Sequence, residues 1–171
     1  AVEPPDKFRL LMMLLRQEDP KLAIIFCNTK AMVRKLAKKL FQAGIEAKEI
    51  HGDLVQARRE RVMDRFRKHH LKVLVATDLA ARGIDVSAIS HIINYDIPQD
   101  CEGYVHRIGR TARLGAHGRA FTLVTPEEGK ELTEVEKLIN KEIHPYVPDG
   151  FLPSTASARR RTEAPPESEP A

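Results

Sequence analysis

LAIIFCNTKAMVRKLAKKLFQAG, residues 22–44, is the stretch whose reading decides the fold. Residues 22–27 form a short apolar run, the pattern expected of a strand buried on both faces. Asn28-Thr29 is a helix start signal, and Met32, Val33, Leu36, Leu40 and Phe41 repeat on a helical face until Gly44 ends it. A buried strand leading directly into an amphipathic helix is half of a parallel-sheet unit. The rest of the chain repeats it.

Upstream, Phe8, Leu11, Met12 and Leu15 have helical spacing, and Asp19-Pro20 ends that helix. Downstream, residues 45–50 read as a strand closing on His51-Gly52-Asp53. Residues 56–67 read as a charged helix with Val62, Met63 and Phe66 as its apolar stripe. Residues 73–76 form the next strand, followed by Thr77-Asp78 and a small-residue turn over 79–83. Strands over 91–95 and 120–124 alternate with helices over 101–108 and 127–140, the last with Leu132, Val135, Leu138 and Ile139 inward. This alternation predicts a three-layer α/β domain with a mostly parallel central sheet covered on both faces. Ligands bind such sheets at the carboxyl ends of the strands. Asn28-Thr29, Gly52-Asp53, Thr77-Asp78 and residues 94–96 each follow a strand, so they are expected to gather on one edge.

The length of 171 residues suits one full-sized domain. With 42% hydrophobic and 30% charged residues the composition is that of an ordinary globular protein, and the net charge of +4 favours a polyanionic partner only mildly. Cys27 and Cys101 lie far apart with neither Cys-x-x-Cys spacing nor a histidine cluster, so reduced, partly buried thiols are expected and no metal site. No apolar run is long enough to span a bilayer, and no basic flank precedes an apolar core, which makes a cytoplasmic protein without a membrane partner the expectation. The chain starts on Ala1, and the expectation is a piece of something longer. Beyond His144 the periodicity fails into Pro, Ser, Arg and Glu, giving a domain over 1–146 and a disordered tail over 147–171. Within that tail Arg159-Arg160-Arg161 could tether RNA, but Glu163, Glu167 and Glu169 follow at once and leave it close to neutral, which favours a solvated spacer or a truncated extension. There is no internal repeat.

Residues 104–113, YVHRIGRTAR, combine apolar anchors at Val105 and Ile108 with a break at Gly109. A helix stopping at that glycine leaves Arg110 and Arg113 on the exit loop, where rigid guanidinium forks reach a multiply charged oxyanion. Yet the chain has neither a Gly-x-x-x-x-Gly-Lys-Ser/Thr phosphate loop nor a Gly-x-Gly-x-x-Gly fingerprint. Phosphate-seeking arginines without a phosphate loop point to half of a composite site.

Four segments carry a specific resemblance: IIFCNTK (24–30), HGDLVQARR (51–59), ATDLAARGID (76–85) and YVHRIGRTAR (104–113). In this order they resemble motifs IV, IVa, V and VI of DEAD-box RNA helicases, over nearly the whole folded region. The chain is similar to the second, C-terminal RecA-like domain of such enzymes, a three-layer α/β/α sandwich. The first domain, which carries the phosphate loop and the Asp-Glu-Ala-Asp box, is missing.

The resemblance implies roles. Arg110 and Arg113 become arginine fingers aimed across a domain cleft at the ATP γ-phosphate, with surface ion pairs as the alternative. Asp85 contacts the ATP ribose and Gly83 belongs to the same nucleotide site. Mg2+ is held mainly by the missing N-terminal domain. His106 and Arg107 become inter-domain couplers, although a packed histidine beside an ion pair explains them nearly as well. Thr29, Gly52, Asp53, Gln56, Arg59, Thr77, Asp78 and Arg82 line a groove for the RNA backbone, read without regard to sequence. Asp53 and Asp78 cannot bind phosphate, so they orient arginines, cap a helix or accept from a ribose hydroxyl. Helix capping alone also accounts for Thr29 and Thr77. Ala112 stands where the motif usually has Gly, a strain of roughly 1 kcal/mol if the position needs a positive φ.

The implied function is RNA-stimulated ATP hydrolysis with local duplex unwinding, in partnership with RNA and the N-terminal domain, and no activity by this chain alone. A stand-alone RNA-binding or regulatory module and a DNA-directed superfamily 2 helicase domain are the alternatives. The oligomeric state has no signature in the sequence.

Overall fold

In the computed structural model, which describes residues 2, 4–84, 89–108 and 118–152, the apolar runs become five four-residue strands. They are β1 (Ala23–Phe26), β2 (Ala47–Ile50), β3 (Val73–Ala76), β4 (His91–Asn94) and β5 (Arg119–Thr122). Between them run helices α1 (Lys7–Glu18), α2 (Lys30–Gln42), α3 (Gln56–Arg67), α4 (Asp78–Ala81), α5 (Cys101–Ile108) and α6 (Gly129–Ile139). The strands pair in the order β2-β3-β1-β4-β5, every pair parallel. Phe26 lies opposite both Ala76 and Asn94, Ile50 opposite Ala76, and Asn94 opposite Thr122, so the carboxyl ends of all five strands stand in one row.

β1, β3 and β4 are buried at every position, because helices cover both faces of the sheet. On one face Ile25, Val73, Val75 and Ile93 pack against Leu11 and Leu15 of α1 and Leu36 and Leu40 of α2. On the other, Ile24, Phe26, Leu74 and Ile92 meet Val62, Met63 and Phe66 of α3. The alternation of strand side chains divides the apolar residues between the two layers.

Several expectations shift on the structure. The turn expected over 79–83 begins as the short helix α4, started by Thr77, whose hydroxyl accepts from the Ala80 amide. Phe41 is 67% exposed instead of facing the core, because Val33, Leu36, Ala37 and Leu40 define the buried stripe of α2 and Phe41 stands one residue past it. Leu138 is likewise exposed, since α6 lies beyond the edge of the sheet against α5 and buries only Val135 fully.

The ordered domain also reaches past residue 146. Pro148 is buried, Phe151 packs against the α1 side of the core, Gln17 donates to the Asp149 carbonyl at 2.8 Å, and Arg9 donates to the Leu152 carbonyl. Residues 147–152 therefore dock on α1 rather than opening the tail, while residues 153–171 lie outside the described region. Cys27 and Cys101 are free thiols, and Cys27 is buried completely. Among the described residues no helix is long and apolar enough to cross a membrane, and no three or more His, Cys, Asp or Glu are grouped to hold a metal ion.

Helix α3 is held to the sheet through Val62, Met63 and Phe66 alone, the rest of its surface being polar or exposed. Phe66→Ala should therefore lower unfolding free energy by about 3–5 kcal/mol in urea titration. The same change at exposed Phe41 should cost less than about 0.5 kcal/mol.

Candidate nucleic-acid and nucleotide interface

The row of strand ends is assembled around one side chain. Arg107, from α5, is 1% exposed and places its guanidinium 5.0 Å from the centroid of the Phe26 ring. Its Nε and Nη2 donate to the two carboxylate oxygens of Asp78 at 2.5 and 2.6 Å. Nη1 donates to the Asp96 carbonyl at 2.8 Å and to Asn94 Oδ1 at 3.3 Å, and Nη2 donates also to Asn28 Oδ1 at 2.9 Å. Five bonds occupy the five N–H donors that a guanidinium has. The acceptors come from the segments that follow β1, β3 and β4, so one buried cation ties three strand ends to α5.

A second layer of bonds fixes those segments. The Asn28 amide donates to Asp96 Oδ2 at 3.0 Å, and the Asn28 side chain donates to the Ile97 carbonyl at 2.9 Å. Lys7, itself buried, donates to the Tyr95 carbonyl at 3.0 Å and stands 3.6 Å from Asp96. Burial first, and then Asp96, push the Cys27 thiol far above its usual range, so it stays protonated beneath this network. Burial likewise pushes the Tyr95 hydroxyl up to about 12.

The remaining residues expected to line an RNA groove lie along the same row. Thr29 is exposed and accepts from the Met32 amide at 3.1 Å as the N-cap of α2, and Thr77 caps α4. Gly52 is exposed, with open space where a side chain would be. Asp53 takes Lys30 at 2.9 Å and Arg34 at 2.5 Å, and the Lys30 hydrogen bond followed by Arg34 holds its carboxyl below the usual range. Arg59 donates to the Ala80 carbonyl at 2.7 Å and fastens α3 to α4. Gln56 bonds Glu60 along its own helix. Arg82 closes α4 on the surface, and the left-handed Gly83 (φ 75°) turns the chain away from it. Asp53 and Asp78 thus each accept from cationic side chains of this domain.

Beside this row lies a cleft of about 260 Å³, lined among others by Asp78, Arg82, Asp100, Glu102, His106 and Arg107. His106 is exposed to it. Asp100 caps the start of α5 by accepting from the Gly103 amide at 2.6 Å. A side chain on Gly103 would meet that carboxylate at 3.2 Å, so the glycine permits the close cap. Arg107 points inward, and its bonds are all to this domain. Asp85, Arg110, Ala112 and Arg113 lie outside the described residues.

Sequence reasoning placed Asn28, Asn94 and Asp96 on the strand-end edge but did not foresee that they hold Arg107. Their signal was position: each follows or ends a buried strand, where a polar residue has to find a partner.

An all-parallel sheet of this order, with a polar row along its strand ends and a cleft beside it, defines a RecA-like α/β domain. A family model, the helicase conserved C-terminal domain, matches residues 6–115. The chain belongs to that family, as a C-terminal RecA-like domain of the DEAD-box RNA helicases. An ATP-dependent RNA helicase CshA of Limosilactobacillus reuteri is 46% identical over 157 residues, covering 90% of this chain and 32% of the relative. The chain thus spans about a third of that relative's length. Among solved structures, the Escherichia coli DEAD-box protein SrmB bound to regulator of ribonuclease activity A superposes with a TM-score of 0.84 at 39% identity, covering 91% of each chain. Saccharomyces cerevisiae Dbp5 bound to RNA and ADP BeF3 gives 0.81 at 35% identity, covering 86% of this chain and 40% of that one.

Removing one partner of a buried, fully bonded ion strands the other groups. Arg107→Lys keeps the charge but loses the planar fork, and should lower stability by about 3 kcal/mol, seen as a reduced urea midpoint. This is the lower end of the usual range because the Asp78 side chain is 45% exposed. Asp53 should behave differently. Its folded-state pKa lies below the ordinary 3.8, so its pairing is present above that value and is lost as pH falls through the lower one. Carboxyl carbon resonances should show Asp53 titrating below 3.8, and Lys30→Ala should move it back up.

Proposed function

We propose that this chain is the second half of a composite site for RNA-stimulated ATP hydrolysis and local duplex unwinding. In the intact protein it would close with a first RecA-like domain around ATP and RNA and reopen after hydrolysis, so that catalytic competence belongs to the pair of domains. The observation that carries this reading is the single row of strand ends. Arg107 gathers it, and Thr29, Gly52, Thr77 and Arg82 are set along it.

Hydroxyls, backbone near glycine and exposed arginine are groups that bind phosphate and 2′-hydroxyl without reading bases. The RNA-bound yeast relative supports this assignment. On the nucleotide side the chain offers arginines but no phosphate-cradling loop, a donor set that fits the far side of a triphosphate. Arg110 and Arg113 would stabilise charge on the transferring phosphate, and Asp85 with Gly83 would contact the ribose side. Mg2+, held mainly by the first domain, would neutralise the phosphates there. His106, exposed to the cleft, is placed to meet the first domain on closure. Arg107 would act on coupling indirectly, through the row it holds. Cytoplasmic residence belongs to the same proposal.

The chain alone should show no measurable ATP turnover. Joined to a cognate first domain, it should turn over ATP in an RNA-stimulated manner, and Arg110→Ala or Arg113→Ala should lower the rate by about 10³-fold or more. Robust turnover by the chain alone, or turnover within a few-fold after either substitution, would overturn the composite site.

A further inference from the structure

Helix α2 carries Lys30, Arg34, Lys35, Lys38 and Lys39 and no acidic residue. Because Val33, Leu36, Ala37 and Leu40 are buried beneath it, all five cations are exposed. Lys30, Arg34, Lys38 and Phe41 follow one another at helical intervals along a single line. That line starts beside Thr29 on the strand-end row. It ends about 20 Å away at Phe41, whose ring is 67% exposed.

A lone exposed aromatic is ordinary. An exposed aromatic that closes a line of cations, itself continuous with a phosphate-binding edge, is the combination single-strand-binding surfaces use: cations follow the backbone and the ring stacks a base. Part of the charge is already committed: Asp53 sits between Lys30 and Arg34, and Lys39 lies 4.4 Å from the centroid of the Phe8 ring. Lys35 and Lys38 form no ion pair among the described residues. They extend the positive face beyond the cations that Asp53 holds.

We propose that the outer face of α2, from Thr29 to Phe41, is an auxiliary contact surface for single-stranded RNA. It carries the strand beyond the strand-end row, with Lys35 and Lys38 on phosphates and Phe41 stacked on a base. This rests on the RNA-binding reading above and adds a second stretch of strand to it.

The test is fluorescence anisotropy of the whole chain with labelled oligouridylates of about 5 and about 12 nucleotides, within the site sizes such surfaces occupy. The substituted positions are exposed, so circular dichroism should be unchanged. Lys35→Gln with Lys38→Gln should weaken binding of the longer RNA and flatten its dependence of log K on log salt by about 1.4, two phosphates' worth for a single strand. Phe41→Ala should weaken the longer RNA about tenfold with the salt slope unchanged. Binding of the shorter RNA should be the same in all variants. Equal losses on both lengths, or none on the longer, would overturn the auxiliary surface while leaving the row intact. Failure of the unmodified chain to bind either RNA would overturn the RNA-binding reading itself, and the auxiliary surface with it.

Discussion

A buried guanidinium has no tolerance for missing partners, and that constraint organises this domain. Arg107 is 1% exposed, so each of its N–H groups has to be met inside the protein. The structure meets them with Asn28 after β1, Asp78 after β3, and Asn94 and Asp96 at the end of β4. Three chain segments that would otherwise be independent surface loops become one rigid edge. Helix α5 is fixed to that edge by the same side chain.

The rest of the fold prepares this meeting. Parallel pairing with aligned ends brings the polar segments into one row, and burial of both faces makes the platform beneath them stiff. Capping then refines the row: Thr29 and Thr77 begin α2 and α4, and Arg59 clamps the last turn of α4 to α3. At the opposite end of the sheet Glu18 accepts from Arg119 and pairs with His91, tying α1 to β4 and β5. The two poles differ in consequence. One is closed by the Glu18 pairs with His91 and Arg119, whereas the other presents hydroxyls, glycine and arginine to solvent.

The strands were legible in the sequence because short β-branched runs bounded by polar residues have few other uses in a domain of this length. Helices α3 and α5 were legible to their last residues for the same reason of periodicity. Phe41 and Leu138 misled because periodicity shows which residues share a helical face, not how wide a strip the sheet covers; α2 buries a narrow stripe and α6 sits past the edge. For Arg107 the sequence left an inter-domain coupler and an ion pair side by side, and its partners could not be named because they lie 11 to 79 positions away. The docking of residues 147–152 was hidden similarly: Pro148 and Phe151 are too few to form a periodic pattern, and only contact with α1 gives them a place.

The central claim is that the strand-end row is the RNA-facing surface of this domain. Amide resonance mapping of the chain during titration with single-stranded RNA tests it most directly. The account predicts that the largest shifts fall at Thr29, Gly52, Asp53, Thr77 and Arg82. Shifts concentrated instead at the opposite pole, around Arg119 and Tyr146, would contradict it.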